Sequence, residues 1–158
     1  MNPEPVFRFS TRIEVRFRDC DPLGHVNNAV YATYFEVARF AYWRAALGYT
    51  PADGFSFIMA RVECNYRSQA HAGASLDVAV RVGRIGRSSF TFEYRITDAA
   101  SGRLVADGSS VQVTFDYALQ KSRPVSDAFR ARVSAFEQRS FGAEDTSPEA
   151  VKNSFREG

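Results

Sequence analysis

The sequence predicts an α+β domain in which an antiparallel sheet packs around one long helix. Three observations support this. A strand pattern of period two is followed by a helix pattern, from about Asn28 to Leu47, that is apolar on most sides. Four further strand patterns come next, separated by short turns, and strands joined by short turns pair antiparallel. A short amphipathic helix pattern closes the order, and we expect the exposed apolar surface to be covered in a dimer or larger oligomer.

The first strand pattern covers residues 7–18, where apolar and polar side chains alternate. The apolar positions are mainly Phe7, Phe9, Ile13, Val15 and Phe17. Because successive side chains of a strand point to opposite faces, this alternation predicts a strand with one buried face.

The long helix is predicted from an apolar stripe that recurs at helical spacing. Its members are Tyr31, Tyr34, Phe35, Ala38, Ala41, Tyr42 and Ala45. Asn27 or Asn28 is a suitable N-cap, and Gly48 can end the helix in a left-handed conformation. Within this mostly buried helix we expect Glu36 to pair with Arg39, three residues further on.

The remaining strand patterns cover residues 56–67, 76–82, 90–96 and 105–117. Gly108 lies inside the last pattern and predicts a bulge or bend. Pro124 then precedes a short amphipathic helix whose apolar members are Val125, Phe129, Val133 and Phe136. We expect residues 1–139 to form a single domain and the polar residues 140–158 to form a disordered tail.

Composition excludes several classes of protein. A hydrophobic content of 45%, with 14% aromatic residues, is enough for a packed core, and the net charge of +2 comes without a dense basic run that would predict nucleic-acid binding. There is no apolar run long enough to span a membrane and no secretory signal pattern. Two cysteines without metal-type or CxxC spacing indicate a reduced, cytoplasmic protein.

Cofactor and metal patterns are also missing from the sequence. It has no glycine-rich phosphate loop of the Rossmann or P-loop type. It has only two histidines, His25 and His71, and they lack ligand spacing. We therefore expect neither a cofactor nor a bound metal.

Chemically capable side chains are concentrated in residues 18–28, between the first strand and the long helix. Asp21 can serve as a general base on water or as a nucleophile on an activated carbonyl. The alternative is that Asp19 and Asp21 are turn residues that bond to their own backbone. His25 either contacts a substrate or holds the shape of the loop.

The start of the helix offers a second chemical group. The first N–H groups of a helix have no intrahelical acceptor and carry partial positive charge, so they can stabilise an oxyanion. Asn27 and Asn28 are placed to cap the helix, and capping is compatible with this role.

A second polar segment is the turn at residues 84–89, which contains two Arg and two Ser. Such a turn can grip phosphate groups. The alternative is an ordinary hairpin with solvated charges, because short patterns of this kind have low specificity.

Residues 17–28, followed by Tyr31-x-x-Tyr34-Phe35-Glu36-x-Ala38-Arg39, resemble the hotdog-fold acyl-CoA thioesterases, in particular the 4-hydroxybenzoyl-CoA thioesterase-like branch with its Asp-x-Asp-x-x-Gly motif. The resemblance covers roughly residues 8–120. It implies a five-stranded antiparallel sheet wrapped around a helix, and dimers that often pair into tetramers. It also implies hydrolysis of an acyl-CoA thioester to a free acid and CoA, at sites on the dimer interface.

The resemblance also implies roles for individual residues. The family's catalytic carboxylate corresponds to Asp21, and its oxyanion donor corresponds to the backbone N–H of Asn28. His25 and Asn27 would shape the loop or touch the substrate. The family grips CoA with basic and hydroxyl residues near its third and fourth strands, and this identifies Arg87, Ser88 and Ser89 as candidates.

Two alternatives stay open. One is a hotdog enoyl-CoA hydratase or dehydratase, although Asp21 and His25 lack the usual Asp-x-Asn-Pro-x-His arrangement of those enzymes. The other is a non-catalytic acyl-CoA-binding module. The His25-Val26-Asn27-Asn28 run is unusual for the benzoyl-type branch, so the nature of the acyl group is also left open.

Overall fold

A computed structural model of the chain describes residues 4–48 and 56–142. The order of elements is β1 (Phe9–Glu14), a single 3-10 turn (Phe17–Asp19), α1 (Val30–Leu47), β2 (Phe57–Tyr66), β3 (Ser75–Ile85), β4 (Ser89–Asp98), β5 (Leu104–Asp116), β6 (Lys121–Ser122) and α2 (Asp127–Glu137). The predicted α+β class and order are confirmed. The expected tail at residues 140–158 lies outside the described residues from position 143 onward, and Phe141, within the predicted tail, is buried in the core.

The strands form one antiparallel sheet in the order β1-β3-β4-β5-β2, and the two-residue strand β6 adds to β5. The five strands predicted from sequence are therefore present, with β6 as an addition. Strand β3 alternates between buried and partly exposed side chains from Leu76 to Val82, as its sequence period predicts, and the alternation breaks where the register shifts between Val82 and Arg84. Strands β1 and β2 are the two ends of this order, so each has one side without a partner strand among the described residues.

Helix α1 lies against the sheet and buries one face. Its buried residues are Tyr31, Tyr34, Phe35, Ala38, Arg39, Tyr42 and Trp43. The Phe35 ring stacks on the ring of Tyr94 with 4.1 Å between centroids. Gly48 ends the helix with a φ of 62°, as predicted. No helix in the described part of the chain is long and apolar enough to cross a membrane.

The predicted start of α1 at Asn28 is two residues too early. The helix begins at Val30, and Ala29 occupies the position before it. The side chain of Asn27 still accepts a hydrogen bond from the Ala29 N–H at 2.9 Å, but the Val30 N–H bonds to the Asn27 carbonyl at 3.0 Å. That three-residue closure makes a tight turn of residues 28–29 instead of a first α-helical turn.

Of the bulge or bend predicted at Gly108, the structure contradicts the bulge. Gly108 pairs in regular register with Cys64 of β2 and with Tyr94 of β4. The register shifts of the sheet lie elsewhere, at Met59/Arg61, Val82/Arg84 and Ile96/Thr97. A Cβ atom at position 108 would overlap the Glu63 carbonyl oxygen and lie 3.0 Å from the Phe35 ring, so glycine lets α1 approach the sheet closely.

The predicted ion pair between Glu36 and Arg39 is also absent from the described residues. Glu36 is exposed on α1, whereas the Arg39 side chain is buried and donates to the Tyr94 hydroxyl at 3.1 Å. Residues three positions apart lie about 60° from each other around a helix, so the border between its buried and exposed faces can pass between them. The packing of α1 against β4 decides that Arg39 turns inward.

Helix α2 closes the far end of the core. It begins at Asp127, with Ser126 as an N-cap that accepts from the Phe129 N–H. The buried Glu137 carboxylate accepts from the Tyr42 hydroxyl at 2.6 Å and from the Val82 N–H at 2.9 Å. Burial and the bond to Glu137 raise the pKa of Tyr42. This carboxylate therefore joins α2 to α1 and β3.

Candidate functional site

Residues 19–27 form a compact hairpin-like loop held by backbone hydrogen bonds. The Asn27 N–H donates to the Asp19 carbonyl at 2.9 Å, and the Asp21 N–H donates to the His25 carbonyl at 3.0 Å. The Gly24 N–H donates to the Asp21 carbonyl at 3.0 Å, and Gly24 has a φ of +88°, which favours glycine. The loop is thus fixed by its own main chain and can hold side chains in defined positions.

Asp19 has a structural role. Its carboxylate is buried, pairs with Arg16 at 2.8 Å and accepts from the Tyr34 hydroxyl at 2.9 Å. Burial alone would raise the pKa of this carboxyl, but the hydrogen bonds from Arg16 and Tyr34 outweigh it and the pKa lies below its usual value. All this anchors the loop to α1 and leaves Asp19 without a free face for a substrate.

Asp21, two residues further on, is only half-buried. Its Oδ1 accepts from the Leu23 N–H at 2.9 Å, so the turn role considered from sequence is present. Its Oδ2 has no partner among residues 4–48 and 56–142. Asp21 lines a cavity of about 340 Å³ together with His25, Asn28, Tyr31 and Tyr66. One carboxylate oxygen holds the loop while the other stays available.

Asn28 lines the same cavity. Within the described residues no acceptor contacts its N–H, and its carbonyl accepts from the Tyr66 hydroxyl at 3.0 Å. The Tyr66 ring packs edge-on against Tyr31 with 5.3 Å between centroids. Tyr66 therefore fixes the orientation of this peptide from strand β2. Sequence reasoning missed Tyr66 because it lies 38 residues away and no local spacing connects the two positions.

His25 and Asn27 line and support the loop. The His25 ring stands edge-to-face against His71, with 6.4 Å between centroids, and His71 Nδ1 lies 3.0 Å from the Gly24 carbonyl. Asn27 uses its side chain on the Ala29 N–H. His25 is thus beside Asp21 at the cavity, whereas Asn27 acts on the turn that presents Asn28.

The chemical content of this cavity is a carboxylate oxygen and a backbone N–H donor. A carboxylate can take a proton from water or attack a carbonyl, and an unpaired N–H can stabilise a developing oxyanion. Among the described residues, no group of three or more His, Cys, Asp or Glu side chains has the arrangement of a metal site.

The predicted CoA-binding residues lie at the other end of the sheet. The segment just before β3 contacts the Asp21 loop, since the Val26 N–H donates to the Ala70 carbonyl at 2.9 Å. Arg87, Ser88 and Ser89 follow the opposite end of β3, an 11-residue strand. At about 3.3 Å per residue, roughly 30 Å separate the two ends. One chain therefore does not bring Arg87, Ser88 and Ser89 to Asp21.

The turn at residues 86–88 is held firmly. The Val125 N–H donates to the Arg87 carbonyl and the Thr114 N–H to the Ser88 carbonyl, both at 2.8 Å. The Arg87 side chain is exposed. Beside this turn, a cavity of about 280 Å³ is lined by an aromatic cluster and one cation, namely Trp43, Phe57, Phe90, Phe129 and Arg123.

Comparison with known proteins agrees with this architecture. The model of the thioesterase-like superfamily matches residues 15–133. A thioesterase from Thermus thermophilus, solved in complex with coenzyme A and Zn, superposes with a TM-score of 0.76 at 38% identity, covering 84% of this chain and 96% of that one.

Two sequence relatives give the same picture. The long-chain acyl-CoA thioesterase FadM of Escherichia coli is 27% identical over 128 residues, which is 78% of this chain and 95% of FadM. The uncharacterised protein YsmA of Bacillus subtilis is 30% identical over 88 residues, or 56% of this chain, and the chain spans about 60% of its length. With three quarters of its length matched by the family model, the chain belongs to the thioesterase-like superfamily, the hotdog-fold thioester hydrolases.

Proposed function

We propose that this protein is an acyl-CoA thioesterase in which Asp21 and the Asn28 N–H perform the chemistry. The observation that carries the proposal is that Asp21 and Asn28 line one cavity, and that within the described residues a carboxylate oxygen of Asp21 and the backbone N–H of Asn28 have no hydrogen-bond partner. The relation to FadM and to a neighbour solved with coenzyme A supports CoA as the thiol part of the substrate.

The reaction consumes water and a thioester. Asp21 Oδ2 takes a proton from water as the water oxygen attacks the thioester carbonyl, whose oxygen becomes negative and accepts from the Asn28 N–H. Collapse of this intermediate breaks the C–S bond, and the CoA thiolate receives the proton from Asp21. In the second route, Asp21 attacks the thioester carbonyl directly, and the C–S bond breaks so that CoA leaves as a thiolate. Water then hydrolyses the mixed anhydride, which releases the free acid, returns the Asp21 carboxylate and supplies the proton that the thiolate takes up.

We propose that the active form is a homodimer, alone or paired into a tetramer, with composite sites. Strand β2 ends the sheet order and exposes Met59, Val62 and Tyr66, and the adjacent face of α1 exposes Val37 and Phe40. An exposed apolar edge strand favours pairing with another strand, and a two-fold axis makes that pairing antiparallel.

Such a pairing supplies what one chain lacks. The Tyr66 end of β2 lies at the Asn28 peptide, whereas the Phe57 end packs on Phe90, close to the Arg87 turn. Antiparallel pairing of two β2 strands sets the Tyr66 end of one chain beside the Phe57 end of the other. Arg87, Ser88 and Ser89 of the second chain would then bind the phosphates of a CoA whose thioester lies at Asp21 of the first chain.

Mixed dimers test the composite site. Asp21→Asn and Arg87→Glu proteins are each expected to release little thiol from acyl-CoA. After joint unfolding and refolding, half of the dimers are mixed and each mixed dimer has one intact site, so about a quarter of the wild-type rate should return. Pairing Asp21→Asn with the Asp21→Asn/Arg87→Glu double variant is the control, since no combination restores a site.

The assay results test the role of Arg87 across the interface and the type of reaction separately. No recovery in the mixture, with active wild type, would show that Arg87 does not act across the interface. A wild type that hydrates crotonyl-CoA but releases no thiol would identify a hydratase. Saturable acyl-CoA binding with neither reaction would identify a binding module. We expect the protein to work in the cytoplasm, which suits its free cysteines Cys20 and Cys64.

A further inference from the structure

Arg39 is a buried cation without a counter-ion in the described part of the chain. Only 7% of the residue is exposed, and the hydrogen bond of its guanidinium within that part goes from Nη1 to the neutral Tyr94 hydroxyl at 3.1 Å. No carboxylate of the described residues lies within ion-pair distance of Arg39, and Glu36, three residues before it, is exposed. Buried charges in proteins are normally paired, so this arrangement needs a ligand or a function.

A network of buried polar side chains on the sheet holds Arg39 in place. The Tyr94 hydroxyl lies 2.6 Å from Ser110 Oγ, which in turn accepts from Gln112 Nε2 at 2.8 Å. Gln112 Oε1 is enclosed and has no hydrogen-bond partner among the described residues. A polar network inside an aromatic core lowers stability relative to apolar packing. Here the network holds the Arg39 guanidinium in one orientation.

Arg39 forms part of the wall of a small cavity of about 190 Å³. The cavity is lined by Glu36, Arg39, Phe40, Trp43 and Phe57. Three of these five side chains are aromatic, so the cavity combines flat apolar walls with one fixed cation. Guanidinium donors match carboxylate oxygens in geometry, and aromatic walls favour an apolar or planar stem.

We propose that this cavity, the Arg39 pocket, is the acyl-recognition subsite and that the substrates are acyl-CoA thioesters whose acyl group carries a carboxylate at its far end. This rests on the proposed function. In the dimer proposed above, Phe57 lies beside the partner's Tyr66, so the Arg39 pocket of one chain adjoins the Asp21 cavity of the other. An acyl group bound at Asp21 would extend into it.

Glu36 is the opposing charge at this site. It lies on the cavity rim and is exposed, so water and salt screen its repulsion of an incoming carboxylate. Arg39 is enclosed, and its attraction is screened much less. The net preference of the pocket is therefore for an anion.

Matched substrates test the proposal on the wild-type protein. Thiol release is measured for glutaryl-CoA against valeryl-CoA, and for 4-carboxybenzoyl-CoA against 4-methylbenzoyl-CoA. Each pair has similar shape and differs in one carboxylate. We expect kcat/KM to favour the carboxylate member of at least one pair by about tenfold or more, as for a hydrogen-bonded charge pair. Preference for the neutral member of both pairs would overturn the proposal without any variant.

Variants then assign the preference to Arg39. Arg39→Met removes the charge at similar length and should lower kcat/KM for the carboxylate member about tenfold, while the neutral member changes less than about threefold. Arg39→Lys should restore part of the preference. Arg44→Met, an exposed position on the same helix, is the matched control and should leave the ratio unchanged. An equal loss for both members would reduce Arg39 to a structural residue.

A binding measurement distinguishes failure of the proposed hydrolase function from failure of the Arg39 pocket. If the protein cleaves no thioester, glutarate and terephthalate are titrated calorimetrically into the wild type and into Arg39→Met. Binding by the wild type alone would retain the pocket and remove only the reaction. No binding by either protein would remove both, and thiol release without dependence on Arg39 would remove only the pocket.

Discussion

The two ends of helix α1 are surrounded by different kinds of interaction. At the Asp21 end, backbone hydrogen bonds and the Asp19–Arg16 pair shape a polar loop that leaves chemically active atoms free. At the other end, rings pack edge-to-face around Phe92, which is fully buried against Trp43 at 5.0 Å and Tyr42 at 5.4 Å between centroids. The first end should therefore govern the reaction and the second the stability, and each can be changed separately.

The largest expected effect is on catalysis at the Asp21 end. Asp21→Asn keeps an oxygen for the Leu23 N–H and removes the base or nucleophile, so thiol release should fall by ~10²–10⁴-fold while the free energy of unfolding hardly changes. Steady-state assay and chemical denaturation measure the two quantities. An Asp21→Asn protein as active as the parent would refute the catalytic assignment.

The second largest effect is a loss of stability with little loss of activity, and it is expected at the aromatic end of α1. Phe92→Ala leaves a cavity in the aromatic cluster and should lower the free energy of unfolding by about 3–5 kcal/mol. Because Phe92 touches neither Asp21 nor Asn28, thiol release per folded molecule should stay within a few-fold of the parent. Urea denaturation, combined with assay at low temperature, separates the two. A loss of activity as large as that of Asp21→Asn in a fully folded protein would contradict the division between the ends.

A smaller effect is expected where β2 reaches the site. Tyr66→Phe removes the hydroxyl that bonds to the Asn28 carbonyl and keeps the ring against Tyr31. One hydrogen bond of this kind contributes about 0.5–1.5 kcal/mol, so kcat should fall roughly two- to tenfold through poorer orientation of the N–H. Tyr117→Phe, which removes an exposed hydroxyl bonded to the Phe57 carbonyl, is the control and should leave kcat unchanged.

The smallest effect concerns pH and Asp19. Its pKa in the folded protein lies below the ordinary 3.8, so ionisation of Asp19 favours the folded state. This contribution is fully present above about pH 4 to 5 and is lost as the pH falls through the lowered pKa. Wild-type stability should therefore decline more steeply in acid than that of Asp19→Asn, as measured by urea midpoints from pH 6 to pH 2. Equal slopes would show that Asp19 is not linked to folding.

The sequence by itself determined the features that depend on short repeats. Alternation with a period of two located the strands, because a pleated backbone turns successive side chains to opposite faces. It did not give the end of the first strand, since β1 stops at Glu14 and Phe17, which the pattern placed on the buried face, is exposed. The apolar stripe and Gly48 fixed the length of α1 to within two residues at its start. The Asp21 loop was also recognisable, since its Asp, Pro, Gly and Asn residues encode a turn locally.

Only the tertiary structure decided the contacts between distant positions. Tyr66 reaches Asn28, Phe35 requires glycine at 108, and Arg39 turns toward Tyr94 instead of Glu36. The separation of Asp21 from Arg87 likewise follows from the length of β3. These contacts depend on strand register and on the depth at which α1 sits on the sheet, which the whole core sets together. A short sequence segment shows the periodicity of its own strand or helix. It does not show which distant residues pack against that strand or helix.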